Sequence, residues 1–279
     1  MTEFLSLHDA IARFVRRGDS VALEGFTHLI PFAAGHEIIR QRLTDLTLVR
    51  MTPDLIYDQL IGCGCAKKLV FSWGGNPGVG SLHRLRDAVE RGWPHPLEIE
   101  EHSHSAMAHA YAAGAANMPC AIFRGYLGSD LARVNPCIRS ITCPFTGEVL
   151  ASVPAVRPDV TVIHAQKADR RGNVLISGIV GVQKEAVLAA AKAVVTVEEI
   201  VDELGTEGTN AVVLPSWTIA AVVEAPGGAR PSYAHGYYQR DNAFYTAWDE
   251  IARDRDRFTA WVDQEVRRAP SDRATRVTS

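Results

Sequence analysis

The stretch GDSVALEGFTHLIP, residues 18–31, decides the fold of this 279-residue chain. Its apolar run at residues 21–23 leads directly into Gly25 and Phe26, and a short polar loop follows that ends at Pro31. α/β enzymes place their chemistry where a buried strand ends in such a loop. Glycine is also an ordinary turn residue, so the pattern gains its meaning from the rest of the chain.

Short apolar runs alternate with amphipathic segments along the chain. Strands are predicted at residues 46–50, 68–72, 121–124, 160–164, 194–197 and 220–224, and helices at residues 33–42, 81–91, 106–116 and 184–192. Most of the predicted strands are continuous apolar runs, as expected for strands that are buried on both faces. The alternation predicts the α/β class, with an open, mostly parallel sheet covered by helices.

No internal repeat or linker divides the chain. We therefore predict a single α/β domain over residues 1–266 and a disordered tail at residues 267–279, which are polar and lack large apolar groups. The domain includes a glycine- and tyrosine-rich excursion, PGGARPSYAHGYYQRDNAF, at residues 226–244. For this excursion, an ordered surface loop packed by its own aromatic side chains is favoured over a lid above a substrate.

The composition argues against several classes of protein. The formal net charge is -3 and the basic residues are dispersed, so the chain has no basic face for nucleic acid. The N-terminal segment predicts an amphipathic helix rather than a signal peptide, because charges interrupt its apolar residues. No apolar run is long enough to span a membrane. Together with five cysteines in an odd, scattered pattern, these features predict a cytoplasmic protein with free thiols.

The sequence contains no metal-binding or nucleotide-binding motif. Cys63 and Cys65 form a C-x-C pair without a second pair at zinc-site spacing, and His102 and His104 are equally unsupported, so we predict no metal. The P-loop pattern is absent. The glycine-rich segment WGGNPGVGS, residues 73–81, precedes a predicted helix. Its backbone amides could bind an anionic group there, but a tight turn capped by the final serine fits equally well.

A second polar segment, EIEEHSH at residues 98–104, places three glutamates beside two histidines. A carboxylate can orient an imidazole and raise its pKa, which general acid–base catalysis requires. On composition alone we favour a solvated, acidic strand end before a helix that is capped by Ser103 or Ser105. The chain lacks a G-x-S-x-G motif, which disfavours a serine hydrolase.

Five loop segments at the ends of predicted elements carry a resemblance that covers most of the chain. They are GFTH at residues 25–28, FSWGGN at 71–76, HSHS at 102–105, KAD with GN at 167–173, and APGG at 225–228. Their order and spacing resemble the A (alpha) chains of the family I coenzyme A transferases over roughly residues 5 to 265. The resemblance implies transfer of coenzyme A between acids through a glutamyl-CoA thioester.

The resemblance also implies that this chain is half of an active site. In two-subunit members the glutamate lies in a Ser-Glu-x-Gly sequence of the B subunit, and this chain has no such sequence. The implied partner is therefore a B subunit in an A2B2 assembly, with a coenzyme A thioester as substrate and no other cofactor. The family's first loop has two glycines before its phenylalanine, whereas here the first of these positions is Glu24. Residues 167–173 are assigned to the scaffold and the interface.

Matching positions to the family's motifs gives the candidate site residues. His104 falls where several members have a glutamine that polarises the thioester carbonyl, so His104 is the candidate catalytic residue and a donor to an oxyanion. The candidate substrate-binding residues are Gly25, Phe26, Thr27, His28, Ser72, Gly74, Gly75, Asn76 and Ser103.

Among subfamilies, the stretches VRMTPDLIYD, CPFTGE and PSYAHGYYQRDN look most similar to the 3-oxoadipate CoA-transferases, in the longer form related to glutaconate CoA-transferase. This implies transfer of coenzyme A from succinyl-CoA to 3-oxoadipate in the β-ketoadipate pathway of aromatic-compound catabolism. A dicarboxylate needs a cationic or donor-rich corner. The candidates for that corner are Arg50, Asn76, Arg84 and Arg124.

Other functions on the same fold remain open at this point. One is transfer to glutaconate or another dicarboxylate. Another is one half of a ring-opening acyl-CoA hydrolase, in which His104 or Glu101 activates water. A third is a non-catalytic module that binds acyl-CoA. A partner with glutamate in the Ser-Glu-x-Gly sequence would favour the transferase.

Overall fold

The computed structural model describes residues 2–77, 79–205 and 210–268. Over these residues the strands are β1 (Glu3–Phe4), β2 (Ser20–Glu24), β3 (Leu46–Arg50), β4 (Ala66–Phe71), β5 (Glu98–Glu101), β6 (Cys120–Phe123), β7 (Arg139–Thr142), β8 (Val149–Pro154), β9 (Val160–Asp169), β10 (Val174–Ser177), β11 (Lys192–Val201), β12 (Ala211–Leu214) and β13 (Ala221–Glu224). The helices are α1 (Leu7–Phe14), α2 (Phe32–Arg40), α3 (Leu55–Gly62), α4 (His83–Arg91), α5 (His104–Ala115), α6 (Leu131–Val134), α7 (Gln183–Ala189), α8 (Asn242–Arg253) and α9 (Arg255–Trp261). A 3-10 helix spans Ser216–Thr218, and a segment of π-helix spans Val262–Arg267.

The larger sheet has the strand order β1-β13-β11-β9-β2-β3-β4-β5, and every neighbouring pair along this path is parallel. Strand β10 pairs antiparallel with β9 and with β12. The prediction of an open, mostly parallel sheet covered by helices is confirmed.

The winding of the sheet reverses between β2 and β9. The chain runs outward from β2 through β3 and β4 to β5 on one side, and from β9 through β11 to β13 on the other. In open parallel sheets, ligands bind outside the carboxyl ends of the strands at such a reversal. The loop that follows β2, with Gly25 and Phe26, begins at this point.

One predicted strand, at residues 121–124, lies outside the parallel sheet. It is β6, which forms a small antiparallel sheet with β8 and β7. Ala121 and Phe123 pack against α5, while Ile122 between them is exposed. Strands inside a parallel sheet are covered on both faces, whereas one face of this strand is exposed at Ile122.

The C-terminal helices complete the core on one side of the sheet. Trp248 of α8 is fully buried, and its indole N–H donates to the Asp58 carboxylate of α3 at 3.0 Å. Val266 near the end of the chain's described part is also fully buried in the same core. Arg267 still belongs to the π-helical segment. The prediction that a disordered tail starts at residue 267 therefore places that start too early. Residues 269–279 lie outside the described residues.

The described residues contain neither a membrane-spanning helix nor a cluster of metal ligands. None of their helices combines the length and apolar character needed to cross a bilayer. Nor do three or more metal-ligating side chains come together within these ranges. All five cysteines are free thiols. Burial raises the pKa of Cys63 to about 12, so its thiol stays protonated at neutral pH.

Candidate active site

The loops that follow β2, β3 and β4 meet the first turn of α5 at the carboxyl edge of the sheet. They enclose a cavity of about 240 Å³, here called the loop cavity, beside the reversal of the sheet. Its lining residues are Phe26, Thr27, Ile30, Arg50, Thr52, Asp54, Trp73, Pro77, His104, Arg240 and Tyr245. Segments that are far apart in the sequence therefore converge where the fold is expected to bind a ligand.

The backbone of the first loop is tightly constrained. A Cβ atom on Gly25 would lie only 2.7 Å from the carbonyl oxygen of Leu29, so no larger residue fits there without movement. Thr27 and Leu29 have positive φ angles of 62° and 53°, which non-glycine residues rarely adopt. The excursion holds this shape, because the Leu29 amide donates to the Tyr233 carbonyl at 2.9 Å and the Ser232 hydroxyl donates to the Thr27 carbonyl at 3.1 Å.

A network of buried charges lies beneath the loop cavity. Arg50 is only 1% exposed and donates to the Asp54 carboxylate at 3.2 Å and to the Gly25 carbonyl at 2.8 Å. The carboxylate of Glu24 accepts hydrogen bonds from the Tyr111 hydroxyl at 2.8 Å and from the backbone amide that follows β3 at 3.1 Å. Burial raises the pKa of both carboxyls, and Arg50 opposes that rise. The carboxyl groups of Asp54 and Glu24 therefore hold the surrounding loops in place through these hydrogen bonds.

His104 is the first residue of α5 and reaches the loop cavity. It is exposed, and its ring makes no hydrogen bond with any described residue. Ser103 precedes it as the helix cap, and its hydroxyl accepts from the Ala106 amide at 3.1 Å. The Ser103 amide in turn donates to the Tyr126 hydroxyl at 2.6 Å. Ser103 therefore positions the helix, while His104 is available to a bound molecule.

The loop that follows β4 presents a different side chain to the loop cavity from those we expected. Ser72 donates its hydroxyl to the Met51 carbonyl at 2.6 Å, away from the loop cavity. Asn76 is 2% exposed, and its amide nitrogen donates to the Tyr245 carbonyl at 2.7 Å. Trp73 lines the loop cavity instead. A Cβ atom on Gly75 would lie 2.6 Å from the Trp73 ring, so Gly75 provides room for that ring. Gly74 packs near α4 and does not line the cavity.

A second and larger cavity, of about 800 Å³, lies between the ends of β9 and β10 and the excursion. Of the candidate site residues, His28 lines this cavity and none of the others does. His28 is fully buried, donates from Nε2 to the Ile179 carbonyl at 2.7 Å, and stacks on Tyr233 with ring centres 4.9 Å apart. Burial lowers the pKa of His28. His28 therefore packs the first loop against the excursion instead of reaching the loop cavity.

The glycine-rich segment before α4 does not leave an open anion site at that helix. The amides of Arg84 and Leu85 donate to one oxygen of Asp58 at 2.8 and 2.9 Å, so an internal carboxylate occupies the N-terminus of α4. Burial raises the pKa of Asp58 to about 6. The cap residue is Leu82, without a side-chain bond, so the expected serine cap is wrong as well.

The EIEEHSH segment divides into a structural half and a cavity half. Glu100 accepts from Lys68 at 2.8 Å and contacts the ring of His102 at 2.9 Å. The paired carboxylate and imidazole are therefore Glu100 and His102, which tie β5 to β4 outside the loop cavity. Glu101 is exposed and does not line that cavity either. His104 is therefore the residue of this segment that lines the loop cavity.

The Glu100 pair predicts an acid-sensitive contribution to stability. The hydrogen bond from His102, with the Lys68 ammonium, lowers the pKa of Glu100 from 4.5 to about 2. A carboxyl whose folded pKa is depressed stabilises the fold above its unfolded pKa, and this contribution is lost as pH falls from about 4.5 towards 2. The free energy of unfolding, measured with urea, should fall between pH 5 and pH 3.5. This fall should be about 1 kcal/mol smaller in Glu100→Gln than in the parent. The exposed variant Glu90→Gln is the control, and an unchanged slope in Glu100→Gln would contradict the prediction.

The candidates for a dicarboxylate-binding corner are placed apart in the structure. Of the four, Arg50 alone lines the loop cavity. Arg84 is buried, pairs with Asp87 and packs over the Trp93 ring. Arg124 is exposed and pairs with Glu148, which directly precedes β8. The cavity has a second arginine, Arg240, which the sequence reasoning missed although its segment carries part of the resemblance.

The excursion is an ordered loop that is tied to the sheet. The Tyr238 hydroxyl donates to one oxygen of Glu198 at 2.6 Å, and the Gly227 amide donates to the other at 2.7 Å. The guanidinium of Arg230 lies 4.3 Å from the centre of the Tyr238 ring. This is the arrangement expected of a loop packed by its own aromatic side chains. Its later residues reach the loop cavity through Arg240.

The turn at residues 167–173 is built as expected for a scaffold element. Asp169 accepts from the amides of Arg171 and Asn173, both at 2.9 Å, which closes an Asx-turn. Gly172 has a φ of 86°, a backbone conformation that favours glycine.

Comparisons with known proteins agree with this geometry. The model of the coenzyme A transferase family matches residues 4–225. The A chain of the 3-oxoadipate CoA-transferase of Pseudomonas knackmussii is 68% identical over 96% of this chain and 94% of its own length. The crystal structure of glutaconate coenzyme A-transferase from Acidaminococcus fermentans has a TM-score of 0.89 at 32% identity, covering 95% of this chain and 89% of that one. A cholesterol ring-cleaving hydrolase subunit of Rhodococcus jostii is 28% identical over 89% of this chain and 86% of its own. This chain belongs to the coenzyme A transferase family.

Proposed function

We propose that this chain is the A (alpha) half of a 3-oxoadipate CoA-transferase, which moves coenzyme A from succinyl-CoA to 3-oxoadipate. The observation that carries the proposal is the 68% identity to such a protein, which extends over 96% of this chain. The loop cavity supports it, because three of the five loop segments that carry the resemblance meet there, at Phe26, Trp73 and His104. The free cysteines accord with a reducing, cytoplasmic compartment.

The nucleophile of the reaction comes from a partner B subunit in this proposal. Among the described residues that line the loop cavity, Asp54 alone carries a carboxylate, and Arg50 binds it. A paired, buried carboxylate is a poor nucleophile. The partner's glutamate, in a Ser-Glu-x-Gly sequence, would attack the thioester and carry coenzyme A until the second acid accepts it. The thioester is then a substrate, no other cofactor takes part, and the assembly is A2B2.

His104 is proposed to donate a hydrogen bond to the thioester carbonyl oxygen as negative charge develops on it. His104→Ala in the reconstituted complex is expected to lower kcat by about 100-fold, because one oxyanion donor is lost. His104→Gln, which keeps an N–H donor, should retain most of the activity. If His104→Ala keeps kcat/KM within about twofold of the parent, His104 is not an oxyanion donor.

The hydrolase alternative has less support. The ring-cleaving hydrolase relative is 28% identical to this chain, against 68% for the transferase relative. Glu101, one of the two residues considered for activating water, does not line the loop cavity. Of the two residues considered for activating water, the loop cavity therefore contains His104 and not Glu101.

The experiment that tests the proposal measures transfer from succinyl-CoA to 3-oxoadipate. This chain is assayed alone and then as the complex purified with the protein encoded beside it. We expect 3-oxoadipyl-CoA to form only with the complex. Release of free coenzyme A, or opening of a cyclic acyl-CoA without transfer, would favour the hydrolase. Binding of acyl-CoA with no turnover would indicate the non-catalytic module.

A further inference from the structure

We propose that Arg240 binds the carboxylate at the far end of a dicarboxylic acyl group and so determines which acids the enzyme accepts. The inference rests on the proposed transferase function and names the residue that would select a dicarboxylate. Arg240 lies in the excursion and lines the loop cavity together with His104. The two side chains reach this cavity from different parts of the chain.

The contacts of Arg240 fix its position but leave donors unused. Its Nη2 donates to the Pro77 carbonyl at 2.9 Å, and its guanidinium lies 3.8 Å from the centre of the Tyr245 ring. Its Nε atom is buried and has no hydrogen-bond partner among the described residues. A guanidinium that is held by stacking loses little further entropy when it binds a ligand, and a carboxylate can accept from two of its N–H groups at once.

The charge balance of the loop cavity singles out Arg240. Arg50 also lines the cavity, but its guanidinium is already bound to Asp54 and to the Gly25 carbonyl. Within the ranges that the structure describes, Arg240 has no carboxylate at ion-pair distance. Among the described residues that line the loop cavity, the charges of Arg50, Asp54 and Arg240 therefore sum to one positive charge. A partly buried positive charge without a partner favours an anionic ligand.

The remaining walls suit the carbon chain of such a ligand. Phe26 and Ile30 from the loop after β2, and Trp73 from the loop after β4, supply apolar surface beside the polar groups. A small dicarboxylic acyl group presents a thioester carbonyl at one end, methylene groups between, and a carboxylate at the other end. The cavity offers a donor at His104, apolar side chains, and a cation at Arg240. An acyl group that ends in a methyl would leave Arg240 unpaired.

The test compares two acceptor acids of equal length in the reconstituted complex. One is 3-oxoadipate, and the other is 3-oxohexanoate, in which a methyl group replaces the far carboxylate. Arg240→Met is expected to lower kcat/KM for 3-oxoadipate by about 30-fold or more. We expect kcat/KM for 3-oxohexanoate to stay within about threefold of the parent. Arg240→Lys, which keeps the charge but not the planar pair of donors, should fall between the parent and Arg240→Met.

Controls separate this role from a structural one. Arg124→Met removes an arginine that is exposed and does not line the loop cavity, and it should leave kcat/KM for both acceptors unchanged. The thermal midpoint and the elution volume of each complex report folding and assembly. Equal losses with both acceptors, in Arg240→Met and Arg240→Lys alike, would show that Arg240 only supports the fold. No loss with either acceptor would show that it does not touch the far carboxylate.

The outcomes also distinguish this inference from the proposed function. If the parent complex does not use 3-oxoadipate but uses another dicarboxylic acid, the proposed substrate is wrong. The kcat/KM values for that acid and for its methyl-terminated analogue are then measured. A loss in Arg240→Met for the dicarboxylic acid alone still supports the inference. A parent complex that prefers monocarboxylic acids overturns it.

Discussion

Replacing Gly25 with alanine is expected to lower kcat/KM for transfer by about 100-fold in the reconstituted complex, because the loop that shapes the cavity must move. An added Cβ atom would lie 2.7 Å from the Leu29 carbonyl oxygen and 2.9 Å from that of His28. Both contacts are with backbone, so no side-chain rotation relieves them. The loop already holds Thr27 and Leu29 at positive φ, which leaves little freedom to absorb the shift.

Gly205→Ala is the matched control for this variant. A Cβ atom at Gly205 would meet no atom of the described part of the chain within 4 Å, and its φ is not in the left-handed range. The control should keep the parent's kinetics. The thermal midpoint of both variants shows whether an activity loss reflects the loop or a general loss of folding. If Gly25→Ala stays within about threefold of the parent, the tight loop is not required for catalysis.

Loss of Arg50 is expected to have the largest effect on stability. Arg50→Met leaves the Asp54 carboxylate buried without its partner and the Gly25 carbonyl without a donor. Breaking a buried pair from one side costs about 3–5 kcal/mol in the free energy of unfolding. Urea unfolding of this chain measures the loss.

Two further variants show that the loss comes from the broken pair. Arg50→Met combined with Asp54→Leu removes both charges and should recover most of the lost stability, because apolar replacements of buried pairs are often tolerated. Arg124→Met breaks an exposed pair with Glu148 and should leave the free energy of unfolding almost unchanged. A loss in Arg50→Met no larger than in Arg124→Met would contradict the buried network.

The sequence could predict the loops of the site because strand ends leave a local pattern. Val21 and its neighbours predict the buried strand β2, and Gly25 predicts the loop that follows it. Parallel strands bring such loops to one edge of the sheet. His104 and Phe26 were therefore placed on the loop cavity from their positions at element ends and from the family's motif.

The direction of a side chain in a loop is not a local property, and the sequence did not predict it. Asn76 turns inward because its partner, the carbonyl of Tyr245, lies 169 residues further along the chain. His28 turns towards Ile179, 151 residues away. Arg240 was missed for the same reason, since the fold alone brings the excursion to the cavity.

The anion-binding possibility at α4 illustrates how an internal group can satisfy a motif. Glycines before a helix are typical of a site for a phosphate or carboxylate, and a carboxylate does bind there. It is Asp58 of α3, which also accepts from the Trp248 indole. No local pattern distinguishes a ligand from a side chain contributed by a neighbouring helix.

The central claim is that this chain supplies half of an active site and that the carboxylate nucleophile lies on its partner. The most direct measurement incubates the reconstituted complex with succinyl-CoA, traps the enzyme thioester with borohydride or hydroxylamine, and locates the modified residue by peptide mass spectrometry. We expect the label on one glutamate of the partner and none on this chain. Label on a carboxylate of this chain, such as Asp54 or Glu24, would contradict the claim.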